Sequence, residues 1–376
     1  MTGVTIFRNG PIFDGARLLE DHKLVVRNGV ADGIAPDMET VENVIDLEGD
    51  ILSPGYVDLQ VNGGGGVMLN DDPSVETLAR ISEAHWGLGV REFLPTLITD
   101  TPDKTHAAIA AVREAVRAGV AGIAGLHLEG PHLSVARKGA HDAALIRRME
   151  QADLDALLAA ATELPVLKVT VAPENTTEGQ VSALARAGVL VALGHTDADY
   201  RTCRRYAAAG ARCVTHLFNA MSQLASRDPG LVGAALGEGA LSSGLIADGI
   251  HVHPEAMRLA WMSKTGPGRI YLVSDAMAVA GTDVSEFRLN GRVIRRENGR
   301  LTLEDGTLAG ADLDLTTAIG VLVNEVGVSL EAALAAATSV PAELIGRPTQ
   351  VAGRPISHFI RISSDLGSVR AVELSQ

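Results

Sequence analysis

Two histidines stand directly behind apolar runs, His195 after Leu190-Val191-Ala192-Leu193-Gly194 and His216 after Cys213-Val214-Thr215. Glu129 closes Gly125-Leu126-His127-Leu128 in the same way, and Asp275 follows Ile270-Tyr271-Leu272-Val273-Ser274. Four polar groups at the ends of four buried strands converge most easily when those strands lie side by side in one sheet. Two imidazoles and a carboxylate suit a divalent metal and leave a coordination position for water, while a further carboxylate can carry protons. A metal-dependent hydrolase is therefore the first expectation. The structural alternative is a hydrogen-bonded polar cluster capping a barrel, and the equivalent placement of all four groups argues against it.

The elements that must position these groups follow from the apolar patterning. Largely apolar runs at 55–60, 91–97, 122–128, 166–172, 189–194, 212–216, 243–248 and 270–274 predict strands buried on both faces, as parallel strands are. Helical patterns at 74–87, 102–118, 151–163, 177–187 and 199–209 lie between most of them. Eight such units close into a (β/α)8 TIM barrel over 54–346, whose active site gathers at the C-terminal strand ends. Residues 1–53 carry short strands and the turn pairs Asn9-Gly10 and Asn28-Gly29, a small β unit that ends at Pro54-Gly55. Residues 347–376 hold further strand-like runs that rejoin it, giving a small β-sandwich-like domain built from both termini. Residues 284–310 read as a hairpin-containing excursion, and helical patterns resume at 312–326 and 330–338.

Composition narrows the partners. A formal charge of −14 argues against nucleic acid or an anionic membrane and requires a local basic pocket for any anionic substrate. Cys203 and Cys213 are too few for a disulfide framework and exclude a cysteine-rich zinc knuckle. The stretch from Met1 to Gly10 has no basic segment followed by an apolar one, and no uninterrupted apolar run reaches membrane-spanning length. A cytoplasmic protein is expected.

Several blocks, in order, give the chain a family likeness: Pro54-Gly55-Tyr56-Val57-Asp58-Leu59-Gln60-Val61-Asn62-Gly63, His127-Leu128-Glu129-Gly130-Pro131, Lys138-Gly139-Ala140-His141, Gly194-His195-Thr196, Thr215-His216-Leu217-Phe218-Asn219-Ala220-Met221, Asp248-Gly249-Ile250-His251 and Val273-Ser274-Asp275-Ala276. From Pro54 to Gly346 the sequence resembles the N-acetylglucosamine-6-phosphate deacetylases of the amidohydrolase superfamily. The resemblance implies hydrolysis of N-acetylglucosamine 6-phosphate to glucosamine 6-phosphate and acetate, in amino-sugar catabolism and cell-wall sugar recycling. The alternatives are a galactosamine epimer of the substrate, or a cyclic amide. It implies that Glu129, His195 and His216 bind the metal, with zinc first and iron, manganese or cobalt also acceptable. Asp275 would serve as general base and then acid, and His141 would donate to the developing oxyanion. The 6-phosphate would lie among Asn219, the backbone of Ala220, His251 and Arg227, whose fork binds phosphate oxygens in pairs. That arginine would reach across a homodimer interface. Ala140, Asp248 and Leu308-Ala309-Gly310 match further substrate-contacting positions, the last three against the acetyl group.

The departures are equally specific. Gln60 and Asn62 stand where many superfamily members carry His-x-His for a second metal, which favours one tightly held ion and leaves a weak second one open. His127 shares the Glu129 face and reads as a support beneath the site. Gly63-Gly64-Gly65-Gly66 lacks the Lys-Ser/Thr of a phosphate loop and reads as a tight turn. His132 replaces a large apolar residue and reads as a loop histidine. The segment around Gly353 to Phe359 departs from the superfamily pattern.

Overall fold

The computed structural model describes residues 3–37 and 43–374; Met1 and Thr2, part of the N-terminal stretch read above, lie outside them. Eight strands form one sheet in strict chain order: β1 (Tyr56–Val61), β2 (Val90–Ile98), β3 (Leu126–Glu129), β4 (Leu167–Val171), β5 (Leu190–Leu193), β6 (Cys213–Val214), β7 (Ser242–Leu245) and β8 (Ile270–Leu272). Every neighbouring pair is parallel. A parallel bridge from Val61 to Ala276 brings the last strand back to the first and nearly closes the barrel. Seven helices return the chain between strands: α1 (Val75–Gly87), α2 (Pro102–Arg117), α3 (Gln151–Glu163), α4 (Glu178–Arg186), α5 (Tyr200–Ala209), α6 (Gly230–Gly237) and α7 (Pro254–Ser263).

The helices start where the sequence supplies caps. Ser74, Thr101, Thr177 and Asp199 each accept a backbone N–H of the first turn, and Pro102 occupies the opening position of α2. α6 and α7 were not anticipated. The α6 sequence, Gly-Leu-Val-Gly-Ala-Ala-Leu-Gly, is buried on nearly all sides, so it carries no amphipathic signal. β6 is also shorter than expected, because the chain turns at Thr215 to present His216.

The terminal segments share a sheet. Ile51–Pro54 pairs in parallel with Ile12 and antiparallel with Phe359–Ile362, which in turn pairs with Val369–Ala371. A second sheet places Val4–Arg8 between His22–Arg27 and Asn43–Asp46. Phe7, Ile12, Leu24, Leu52 and Phe359 are buried together in a core separate from that of the barrel. The excursion is a three-stranded sheet (Glu286–Leu289, Arg292–Glu297 and Arg300–Thr302) whose Leu289, Ile294 and Leu301 pack on Ile98 and Met277. The glycine run makes a hairpin: Gly63–Gly64 pairs with Val67–Met68, and Gly65 and Gly66 take φ of 62° and 84°. A two-residue turn with both φ positive accepts glycine without strain, and a Cβ on Gly63 would meet the Val67 carbonyl at 2.5 Å. Among the described residues no helix is long and apolar enough to cross a membrane.

Arg91 joins the two cores. Its guanidinium lies 4.2 Å from the Trp86 ring centroid, and it donates to the carbonyls of Ser357 (2.9 Å) and Trp86 (2.8 Å). Only 2% of the residue is exposed, and the Trp86 carbonyl also accepts the Gly89 N–H at 3.2 Å. Arg91→Ala should lower stability by about 3 kcal/mol through the lost packing and the loss of the Ser357 carbonyl's donor. Chemical denaturation with a probe in each core checks this; an unchanged midpoint would count against the junction.

Candidate active site

The strand ends deliver their side chains by unusual backbone turns. Glu129 is the last residue of β3, whereas His195, His216 and Asp275 lie just beyond β5, β6 and β8 with φ of 47°, 29° and 50°. Left-handed conformations at non-glycine residues cost of order 1–3 kcal/mol each and persist only where the surroundings impose them. Here the flanking backbone is pinned: Thr215 N–H donates to Leu193 (2.9 Å), Leu217 N–H to Gly244 (2.7 Å) and Asp275 N–H to Gln60 (3.1 Å). The turns swing all three side chains over the barrel mouth.

There the ligand-type atoms meet. Glu129 Oε1 lies 3.2 Å from His195 Nε2 and 3.1 Å from His216 Nε2, and the two imidazole nitrogens are 3.0 Å apart. His195 Nδ1 faces the Arg137 carbonyl at 2.8 Å, so Nδ1 carries the proton and Nε2 turns its lone pair into this triangle. Nitrogen and oxygen donors converging at this spacing suit one cation with ligand distances of about 2.0–2.2 Å. Glu129, His141 and His195 also place one ligand atom each within 4.8 Å of one another. His141 is distinguished by its tautomer. Its Nδ1 faces the Thr99 hydroxyl (2.8 Å) and the Thr99 N–H (3.3 Å); accepting from that N–H leaves the proton on Nε2, 4.0 Å from Glu129 Oε2. Burial, with His195 beside it, pushes His141 down to about 3 and keeps the ring neutral.

Asp275 sits beside the triangle. Its Oδ1 accepts from Asn62 Nδ2 (2.7 Å) and Gln60 Nε2 (3.1 Å), and the same Gln60 nitrogen reaches Glu129 Oε1 at 3.2 Å. Burial, and then the charge of Glu129, raises the Asp275 carboxyl above the ordinary carboxylate range. The buried amide oxygens of Gln60 and Asn62 have no partner among the described residues.

All of these groups except Gln60 line one cavity of about 250 Å³, together with Ala140, Asn219, Ala220, His251 and Leu308 to Gly310. Two expected site residues do not reach its wall. Asp248 lies behind His251, accepting from its Nδ1 (2.6 Å) and its backbone N–H (2.7 Å). Arg227 is exposed on the segment between β6 and α6. His127 is fully buried between Thr170 Oγ1 (2.7 Å) and Thr96 Oγ1 (3.2 Å), beneath the ligand atoms. His132 lies in the loop after β3 and is 2% exposed: its Nδ1–H donates to the Arg147 carbonyl, in a separate cleft between α2 and α3.

Other contributors were not anticipated. Glu174, beyond β4, accepts from Thr196 Oγ1 (2.6 Å) and the Asp197 N–H (2.7 Å), and so fixes the loop behind His195. Thr99, beyond β2, sets the His141 tautomer. Both stand at strand ends, so the rule that found the four central groups would have reached them had it been extended to β2 and β4. Leu289 reaches the cavity from the excursion, and Arg292 of the same hairpin donates to the Ala140 carbonyl at 2.6 Å. No periodicity linked that distant hairpin to the site.

The Amidohydrolase family model matches residues 51–351. An N-acetylgalactosamine-6-phosphate deacetylase of Shewanella sp. (strain ANA-3) is 40% identical over 348 residues, 90% of this chain and 87% of that protein. An N-acetylglucosamine-6-phosphate deacetylase of Haemophilus influenzae is 33% identical over 343 residues, 90% of this chain and 89% of the relative. The crystal structure of N-acetylglucosamine-6-phosphate deacetylase from Pasteurella multocida superposes with a TM-score of 0.90 at 32% identity, covering 98% of this chain and 100% of that one. With a barrel whose strand ends gather these ligands and a family match over most of its length, the chain belongs to the amidohydrolase family, whose members are metal-dependent.

Proposed function

We propose that this protein removes the acetyl group from an N-acetylhexosamine 6-phosphate, with N-acetylglucosamine 6-phosphate as the principal substrate. The observation that carries the reading is the Glu129/His195/His216 triangle with Asp275 held beside it in one cavity. The galactosamine epimer is the second reading, favoured by the Shewanella relative at 40% identity. Glu129, His195 and His216 would hold one divalent ion, zinc first. When bound, that ion supplies Lewis acidity, which lowers the pKa of water and polarises a carbonyl oxygen.

The remaining chemistry belongs to the side chains. Two amide N–H groups occupy Asp275 Oδ1, which leaves Oδ2 to take a proton from the attacking water. The same carboxyl then delivers that proton to the sugar nitrogen as the C–N bond breaks, so acetate and a free amine leave. His141 Nε2–H donates to the oxyanion that forms on the acetyl carbonyl. Asn219, the Ala220 backbone and His251 receive the phosphate, with Asp248 fixing the His251 ring. Ala140 and Leu308-Ala309-Gly310 border the sugar and its acetyl methyl. Arg227 completes the phosphate site from a second copy of the chain; the exposure of Leu224 on its loop, 61%, supports an interface there. A cytoplasmic location is part of the same proposal.

Turnover of the two epimers with and without the 6-phosphate tests the substrate assignment. Equal rates for the phosphorylated and free sugars would remove the phosphate site, and a higher kcat/KM for the galactosamine epimer would reverse the order of the two readings. Asp275→Asn is expected to keep one metal per chain while kcat falls by about 10²–10⁴, the usual worth of a general acid–base group. Near-normal turnover in that variant would refute its role. Arg227→Ala should raise KM by about tenfold or more, with a smaller effect on kcat, as loss of a charged phosphate contact does. Chelation should abolish activity, and one equivalent of zinc should restore it; a requirement for two equivalents would point to a second ion beside Gln60 and Asn62.

A further inference from the structure

The barrel's closing seam is built differently from its other seven. Each other pair of neighbours is joined by a ladder, whereas β8 meets β1 through the single bridge at Val61 and Ala276. Backbone bonds continue just above it, from Asp275 N–H to Gln60 (3.1 Å) and from Asn62 N–H to Ala276 (2.9 Å). One step lower, the Ser274 N–H faces the Asp58 side chain instead of a carbonyl, at 3.3 Å from Oδ1 and 3.2 Å from Oδ2. Asp58 Oδ1 also accepts the Gln60 N–H at 3.1 Å.

A fully buried carboxylate is a poor choice for stability alone. Asp58 is 0% exposed, and among the described residues it forms no ion pair within 4.0 Å. The buried Lys168 ammonium donates to the carbonyl of neighbouring Leu59 (3.2 Å). Burial pushes the Asp58 carboxyl up to about 7. Its two N–H partners explain what it does there. One belongs to Ser274, immediately before Asp275; the other belongs to Gln60, whose side-chain amide donates to Asp275 Oδ1.

We propose that Asp58 is a positioning residue for the deacetylation, holding both ends of the Gln60–Asp275 contact through one carboxylate so that Asp275 keeps its left-handed turn and presents its free oxygen. This rests on the reading of Asp275 as the proton carrier. Asp58 touches neither the cavity nor any ligand-type atom, so it acts only through its neighbours. Asparagine at this position keeps the size but offers one acceptor, and its NH2 group would oppose one of the two N–H donors.

The test is a double-mutant cycle on the metal-loaded enzyme, measuring kcat, KM and metal per chain for Asp58→Asn, Asp275→Asn and the pair. Asp58→Asn alone should lower kcat by about 10- to 100-fold with KM within about threefold and one metal retained. In the Asp275→Asn background the same change should cost less than about threefold, because the group it positions is already disabled. A full, additive loss in that background, or a loss appearing in KM or in metal content, would overturn the positioning role while leaving Asp275 as proton carrier. Near-normal turnover of Asp275→Asn alone would instead overturn the underlying reading. Should Asp58→Asn not fold, Ser274→Ala carries the test, because the Ser274 hydroxyl also bonds to Asp58. A kcat loss of about three- to tenfold at constant KM supports the proposal, and an unchanged kcat overturns it.

Discussion

Two carboxylates brought together out of water impose the constraint that organises the barrel mouth. Glu129 and Asp275 are 2% and 8% exposed, and one Gln60 nitrogen bridges them at 3.2 and 3.1 Å. Like charges at such range repel strongly where solvent is excluded. The surroundings offset this in two ways: imidazole nitrogens face Glu129, and amide N–H groups face Asp275. The asymmetry suits the two carboxylates to the different tasks proposed for them, ligation at Glu129 and proton transfer at Asp275.

Gln60 and Asn62 therefore do more than mark missing histidines. Their N–H groups offset part of the buried Asp275 charge by binding its Oδ1. The cost is local and visible. Their amide oxygens are buried without partners among the described residues, and three of the four central residues hold left-handed turns. Such strain survives because the parallel ladders below and the bonded loops above leave the chain no easier path. The loop behind His195 is held by Glu174, and the loop before His141 by Arg292 of the excursion. A site made from several strand ends thus depends on segments that carry no chemistry of their own.

Much of this was legible from residue order. Parallel strands buried on both faces appear as apolar runs, and a polar residue closing such a run can only be at the barrel rim, which is why Glu129, His195, His216 and Asp275 stood out. Helices with capped starts and amphipathic faces were equally plain. α6 was not, because a helix buried all round has no periodicity to read. Asp58 escaped for another reason: an isolated carboxylate in sequence does not disclose that its partners are backbone N–H groups, one of them just beyond the last strand.

The sequence by itself determined the barrel and the rim positions whose residue types suit a metal and proton transfer, since these follow from residue type and local apolar pattern. Only the tertiary structure decided which atoms meet: His195 turning Nε2 inward because Arg137 takes its Nδ1 proton, His141 presenting a donor because Thr99 holds the other nitrogen, and Asp248 standing behind His251. The tautomers of His195 and His141 are set by groups far away in the chain, and even the near neighbours Asp248 and His251 meet only in a particular loop geometry. Hydrogen bonds act over about 3 Å in space, and no local pattern along the chain encodes that distance.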